Sequence, residues 1–310
     1  MTATRPHHPF AALAALAALA TAPLQRRVAA LLYPVGTGPA DFLEPAGEPA
    51  LIGPDSVSWR VFANPVAMFV GGVAAVLLEL AEPRIRSGVW EHTSFRSQPL
   101  LRLQRTGYAA MMTVYGARSR SAALIARVNA GHERVRGHAP SGMAYRANDP
   151  ELLAWVHATA SFGFLHAYLA CVEPLTPAQR DLFYAEGQAA GRLYGVAAPP
   201  GDERAVDALF ERMRPQLEAS AIVDEFLAIM AGVPLLPRPL RGLQRLLLRA
   251  AVQCLPAWTR ATLGLAGPRW RLAHWQWALL RTAGRAAQHL RQPDWPALLA
   301  RCRLEDGATA

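Results

Sequence analysis

The chain has 310 residues, and at 52% hydrophobic and 18% charged it carries enough apolar material for a deep core. It contains no lysine, so its 32 basic residues are all arginines, and its formal net charge is +9. These arginines are scattered, and no zinc-finger, helix-turn-helix or RNA-binding signature accompanies them, which argues against nucleic-acid binding. Three widely spaced cysteines without a Cys-x-x-Cys pair predict no disulfide framework and indicate incidental thiols in a reducing compartment.

The first predicted element is an uncharged run over residues 9–25, rich in alanine and leucine. The small residues at 20–22 resemble a signal-peptide cleavage site, although the run is short for a membrane span. Its leucines recur every three residues, which also suits an ordinary helix that packs along one stripe. We therefore expect a cytoplasmic protein, with membrane association or export through residues 1–25 as the alternative.

A central helix is predicted after a long surface loop, which the proline- and glycine-rich residues 34–57 indicate. The helix begins after Asn64, a favoured cap residue, and ends at Pro83, which cannot continue it. Its residues are apolar nearly all round, as expected for a buried helix. Gly71 and Gly72 would let another helix or a flat ligand approach closely.

The rest of the chain is punctuated by proline starts and by glycine or proline stops, a pattern typical of consecutive helices. Residues 88–95 predict a turn. Helices are predicted over 100–114, 121–136, 151–171 and 177–195, then one or two over 202–231 and three or four over 240–299. The class is therefore an all-α globular helical bundle. The predicted division is an N-terminal helix and loop over residues 1–50 and a single domain over 51–310.

Arg102, Arg105 and Thr106 lie at positions i, i+3 and i+4 of one predicted helix and share a face. Two guanidiniums beside a hydroxyl would grip an anion or polarise a ligand on a metal. The alternative is a solvated basic face, which is the commoner reason for charges at helical spacing.

Two histidines lie in apolar helical stretches. His132 falls on the apolar stripe of the helix over 121–136, beside Gly131, which leaves room for a large group. His157 has similar surroundings. A buried neutral imidazole is a ligand for haem iron or another transition metal, although a lone histidine on an apolar face is more often an ordinary core residue. The pattern alone predicts a histidine-bearing apolar pocket without naming a reaction.

Several motifs stand together in the order typical of a known family. They occupy residues 53–60, 88–95, 102–106, 132–137, 145–159 and 255–265. The chain resembles the oxygenase family of MpaB and the latex-clearing protein, a rubber oxygenase, from about residue 53 to 265. The resemblance implies an all-α fold with a globin-like core around a haem-sized pocket. It also implies oxidative cleavage of a carbon–carbon double bond in a hydrophobic, prenyl-like substrate by dioxygen.

In the rubber oxygenases a b-type haem is held by a histidine in a motif that His132 and Arg136 match. The resemblance therefore implies that His132 is the axial iron ligand and that Arg136 helps to bind the cofactor. His157 matches a characteristic family position, where we expect it to line the pocket or donate a hydrogen bond, with metal ligation as the alternative.

The residues expected near the distal face of the haem are Arg102, Arg105 and Thr106, again by resemblance. Arg105 replaces the distal lysine of the rubber oxygenases. Because arginine stays protonated, it is a poor iron ligand, and we expect a five-coordinate or water-bound iron with Arg105 as a hydrogen-bond donor. The chain also departs from the family in carrying Glu82-Pro83 where many relatives have His-Pro.

The sequence thus predicts an oxidoreductase, a haem-dependent oxygenase whose partners are dioxygen and a hydrophobic small molecule. The alternative is a non-catalytic helical protein that binds haem or lipid as a carrier or sensor. A third interpretation is a membrane-associated helical partner protein in which residues 1–25 matter most.

Overall fold

The architecture is known for residues 32–236, 238–289 and 293–307, which the computed structural model describes. The segment over residues 9–25, predicted to be a signal, an anchor or an ordinary helix, lies outside these described residues. The division predicted at residue 50 stays a prediction.

The described residues fold into fourteen α-helices and a two-stranded sheet, which confirms the all-α class. The helices are α1 (Ala40–Leu43), α2 (Val57–Phe62), α3 (Pro65–Ala81), α4 (Pro83–His92), α5 (Pro99–Tyr115), α6 (Arg118–His132), α7 (Pro150–Cys171), α8 (Pro177–Leu193), α9 (Glu203–Met213), α10 (Ala221–Gly232), α11 (Arg241–Cys254), α12 (Ala257–Thr262), α13 (His274–Gln288) and α14 (Pro296–Asp306). The strands β1 (Arg136–His138) and β2 (Ala144–Arg146) pair antiparallel, with Arg136 opposite Arg146.

Most predicted helix starts are confirmed, because side-chain caps and first-turn prolines act locally. The Asn64 side chain accepts hydrogen bonds from the backbone N–H groups of the first turn of α3. Asp149 does the same for α7, and Thr176 forms a capping box with Gln179 at the start of α8. Each of these three helices has proline at its first position, where no backbone N–H is needed.

Two local predictions are wrong. Most of the turn expected over residues 88–95 lies inside α4, because the Glu82 carboxylate caps the N–H of Ile85 and the chain becomes helical again at Pro83. Arg136 is also not helical, since α6 ends at His132 and Arg136 begins β1. Three-residue strands are too short to show a periodic pattern, so the sequence did not reveal this hairpin.

The centre of the fold is the contact between α3 and α7, where the two backbones nearly touch. A Cβ atom on Gly71 would lie 2.7 Å from the Cα of Phe164, and one on Gly163 would lie 2.5 Å from the Gly71 carbonyl oxygen. The predicted role of Gly71 in helix approach is therefore confirmed. α11 and α13 pack against this pair and complete the layer behind it.

α7 is long and apolar enough to cross a membrane, and so is the bent pair α3–α4, by length and composition. The buried helices of a folded domain have the same composition, and α3 and α7 form the most extensive helix contact among the described elements. Their apolar character is therefore accounted for by their place in the core.

The C-terminal helix α14 packs on α1 and α5 through Arg303, whose side chain is completely buried. Its guanidinium donates hydrogen bonds to the carbonyl oxygens of Phe42 at 2.7 Å, Glu48 at 2.9 Å and Tyr115 at 2.9 Å. One side chain thus connects α14 to two distant segments, residues 42–48 and the end of α5.

Candidate functional site

The candidate site begins with the hairpin of α5 and α6. A turn at Gly116 joins the two helices, and a Cβ atom there would lie 2.6 Å from the Met112 carbonyl oxygen, so only glycine fits. Helices joined by so short a connection run antiparallel. Arg102, near the start of α5, and His132, at the end of α6, therefore lie at the same end of the hairpin.

A carboxylate from α3 completes a cluster of three titratable side chains, Glu79, Arg102 and His132, which we call the Glu79 cluster. All three are half-buried. Burial raises the pKa of Glu79 to about 7, although the nearby Arg102 guanidinium opposes this rise. Burial lowers the pKa of Arg102, an effect that Glu79 opposes and the positive charge of Arg105 reinforces.

The imidazole of His132 is neutral near pH 7, because burial and then the charge of Arg102 lower its pKa. Its Nδ1 atom is buried and has no hydrogen-bond partner within the described parts of the chain. A buried polar atom without a partner costs free energy and calls for an explanation such as a ligand.

Open space adjoins this cluster. A Cβ atom added to Gly131, next to His132, would meet nothing within 4 Å, and the same holds for Gly107 on α5. Both glycines are nevertheless only half-exposed. The cluster therefore offers one neutral imidazole and a nearby cation, with open space at Gly131 beside them.

The other residues expected at the distal face lie further towards solvent. Arg105 and Thr106 are exposed, and the Thr106 hydroxyl donates a hydrogen bond of 2.9 Å to the Arg102 carbonyl oxygen. Arg136 is exposed on β1. The structure thus brings Arg102 and His132 together with Arg105 close by, and it places Thr106 and Arg136 towards solvent.

His157 lies between α7 and α8, against two glycines. A Cβ atom on Gly191 would lie 3.0 Å from the Cε1 of His157, and one on Gly187 would lie 3.8 Å from the same atom. Burial lowers the pKa of this histidine to about 4, so it is neutral at pH 7. In the described structure no hydrogen bond or charge interaction joins His157 to His132 or Arg102.

Glu79 is the residue that the sequence analysis missed. The sequence does distinguish this residue, because Glu79 is the only charged residue within α3. A carboxylate in a helix that is otherwise apolar costs free energy unless a partner or a function accounts for it. Glu82, by contrast, caps α4 and pairs with Arg84 at 2.6 Å, so its carboxylate already has partners.

Glu79 should make the stability of the folded chain depend on pH. The pKa of Glu79 is raised in the folded chain, from 4.5 to about 7, so the folded chain holds a proton that the unfolded chain releases in this window. Stability therefore falls as the pH rises from about 4.5 to 7. We expect Glu79→Gln to match the unchanged chain at pH 5 and to exceed its free energy of unfolding by roughly 2 kcal/mol at pH 8.

Urea unfolding at the two pH values measures this difference. Glu133→Gln is the matched control, because Glu133 is exposed and its replacement should change stability equally little at both. A Glu79→Gln variant that gains no stability at the higher pH would show that Glu79 is solvated.

No three histidine, cysteine, aspartate or glutamate side chains converge as a metal site in the described residues. A haem iron differs from a bare metal ion in this respect, because its porphyrin supplies four nitrogen ligands and the protein needs to supply only one. The Glu79 cluster meets that smaller requirement.

The fold and the cluster define an all-α domain whose candidate site holds a neutral histidine, with an Nδ1 atom that has no hydrogen-bond partner among the described residues. The chain belongs to the family described as "ER-bound oxygenase mpaB/B'/Rubber oxygenase, catalytic domain", whose model matches residues 59–289. The family expected from the motifs is thereby confirmed, and the match supports a general oxygenase role.

Two relatives were found with equal similarity. One is an uncharacterized protein of Mycobacterium bovis and the other an uncharacterized protein of Mycobacterium tuberculosis. Each is 32% identical to this chain over 176 residues, covering 54% of this chain and 69% of the relative. No solved structure matches the chain.

Proposed function

We propose that the chain is a haem b-dependent oxygenase that cleaves a carbon–carbon double bond of a hydrophobic, prenyl-like substrate. The observation that carries this proposal is the buried Nδ1 of His132, which lacks a partner in the described structure and lies beside open space. Family membership supplies the reaction class, because the matched model is that of an oxygenase catalytic domain.

In this proposal His132 would hold the haem iron through its imidazole. A neutral imidazole offers one lone pair to a metal and one N–H to a hydrogen-bond acceptor. The depressed pKa of His132 keeps that lone pair free at pH 7, because burial disfavours the charged imidazole and protonation would also place a second cation near Arg102. When bound, haem b supplies the redox chemistry that activates dioxygen.

Arg102 and Arg105 supply the positive charge at the site. Arg102 is half-buried and its guanidinium donates no hydrogen bond to another described residue, so the guanidinium is available to an anionic group of the cofactor. Arg105 is exposed close by and would donate hydrogen bonds beside the cofactor. For Thr106, Arg136 and His157 the proposed site roles rest on the family motifs.

A partly exposed, mostly apolar face of α3 supports the proposal of a hydrophobic substrate. Phe69, Gly72, Val76 and Glu79 follow one another at helical spacing and are only half-buried, although α3 is central to the fold. They form a stripe that the described helices do not fully cover. An apolar stripe with a single polar group is typical of a site for a hydrophobic ligand.

The absorption spectrum of protein purified from haem-fed cells tests the cofactor assignment. We expect a Soret band and about one iron per chain, and we expect His132→Ala to lose both, since one axial ligand holds the iron. His138→Ala is the matched control, because His138 is exposed on β1 and should leave the spectrum intact. An unchanged Soret band in His132→Ala would refute the ligand assignment.

Oxygen uptake separates an oxygenase from a carrier. An enzyme should consume dioxygen with an isoprenoid alkene and release carbonyl products that mass spectrometry detects. A chain with the expected spectrum that consumes no oxygen with any alkene would instead be a haem-binding carrier or sensor, the alternative drawn from the sequence.

A further inference from the structure

The arginines are scattered along the chain, but the acidic residues are not. Ten of the 32 arginines and none of the 23 acidic residues lie between Glu225 and Asp294. The rest of the chain is therefore close to neutral, and this segment carries essentially the whole positive excess. Among its described arginines, Arg269 forms an ion pair with Asp224 at 3.0 Å, and no other ion pair is seen.

α11 presents part of this charge on one face. Arg241, Arg245 and Arg249 follow at four-residue intervals, and the first two are exposed. The opposite face of the helix, with Leu247 and Ala251, is buried in the core. The helix is thus amphipathic, and its outer face is basic.

α13 adds exposed apolar side chains to the same surface. Trp275 is 67% exposed and Leu279 is 48% exposed, one helical turn apart. Both line a groove of about 270 Å³ together with Arg245 and Arg249 of α11. The two helices therefore present one continuous surface of arginine, tryptophan and leucine, which we call the α11–α13 surface.

We propose that the α11–α13 surface docks the protein on a lipid bilayer that contains anionic headgroups. Guanidiniums pair well with lipid phosphates, and tryptophan is favoured at the boundary between headgroups and acyl chains. An amphipathic helix with arginine on its polar face and neighbouring tryptophan and leucine has the composition of an interfacial element. This inference does not rest on the proposed oxygenase chemistry or on residues 1–25.

Charge and polarity decide between the candidate occupants. A second copy of the chain would bring another basic surface against this one, and the like charges would repel. Residues 1–31 carry three arginines and no acidic residue, so they also lack complementary charge. A nucleic acid would satisfy the arginines but gains little from an exposed leucine beside a tryptophan, whereas a bilayer takes up both.

Vesicle sedimentation with the full chain tests the proposal. We expect binding to vesicles of phosphatidylcholine with phosphatidylglycerol and weak binding to phosphatidylcholine alone. Arg241→Gln combined with Arg245→Gln should lower the partition coefficient about 25-fold, at about fivefold for each arginine.

Trp275→Ala combined with Leu279→Ala should lower the partition coefficient at least about tenfold. Raising the salt concentration to about 1 M should weaken binding, because the Debye length falls to about 3 Å.

The matched control is Arg204→Gln combined with Arg212→Gln, which removes two exposed arginines from α9 and should leave binding unchanged. Thermal unfolding of each variant verifies that it is folded. If both surface variants bind anionic vesicles as well as the unchanged chain does, the α11–α13 surface is not the docking site. Binding to a fluorescent DNA duplex that needs Arg241 and Arg245 but not Trp275, without vesicle binding, would assign the surface to nucleic acid and overturn the proposal.

Discussion

Gly71→Ala is expected to destabilise the protein by about 3 kcal/mol, while Gly72→Ala at the next position is expected to leave it as stable or slightly more stable. The added methyl at Gly71 would lie 2.7 Å from the Cα of Phe164 and 2.9 Å from the carbonyl oxygen of Gly163, and backbone atoms cannot rotate away. At Gly72 the nearest atom is the Cε1 of Phe164, at 3.9 Å, which is an ordinary contact.

Comparing the two variants separates the energy of the close contact between helices from the helix propensity of alanine. Both variants gain the same preference of alanine for helix, about 1 kcal/mol, so the difference between them reports the contact between α3 and α7. Urea unfolding of the two variants measures it. Because α3 also carries Glu79, Gly71→Ala should also lower the haem content that the proposed function predicts, whereas Gly72→Ala has no such steric reason to do so. Equal stabilities would mean that α3 and α7 lie further apart than these distances indicate.

Arg303→Ala is expected to cost about 4 kcal/mol, since it removes the donor from two buried carbonyl oxygens and one part-buried carbonyl oxygen at once. Each unsatisfied group costs about 1 to 3 kcal/mol. Arg303→Lys should recover only part of this loss, because a single ammonium cannot span carbonyls that a planar guanidinium reaches from three nitrogens.

Arg301→Ala is the matched control, two positions away on α14. Arg301 is exposed and donates one hydrogen bond of 3.0 Å to the Pro54 carbonyl oxygen, so its removal should cost less than about 1 kcal/mol. Denaturant unfolding of the three variants gives the comparison. If Arg303→Ala lowered the free energy of unfolding as little as Arg301→Ala does, the Arg303 side chain would not hold the loop between α1 and α2 in place.

The motifs located the family and part of the candidate site without any structure. His132 and Arg102 were singled out from their apolar or helical spacing and from the resemblance, and the structure places them close to each other. Glu79 was not recognised as a component of the cluster, although it is the only charge in α3. Its neighbours Arg102 and His132 come from other helices, and no spacing within α3 contains that information.

The sequence by itself determined the helical class, the starts of α3, α7 and α8, and the family, because caps, first-turn prolines and short motifs act within a few residues of each other. Only the tertiary structure decided the backbone contact of α3 with α7, the pairing of β1 with β2, the shifted pKa of Glu79 and the union of α11 with α13 in one basic, apolar surface. Desolvation, charge interactions and backbone contact depend on distance in space, and the residues involved are far apart along the chain, except in the hairpin of β1 and β2, whose strands are too short to show a periodic pattern.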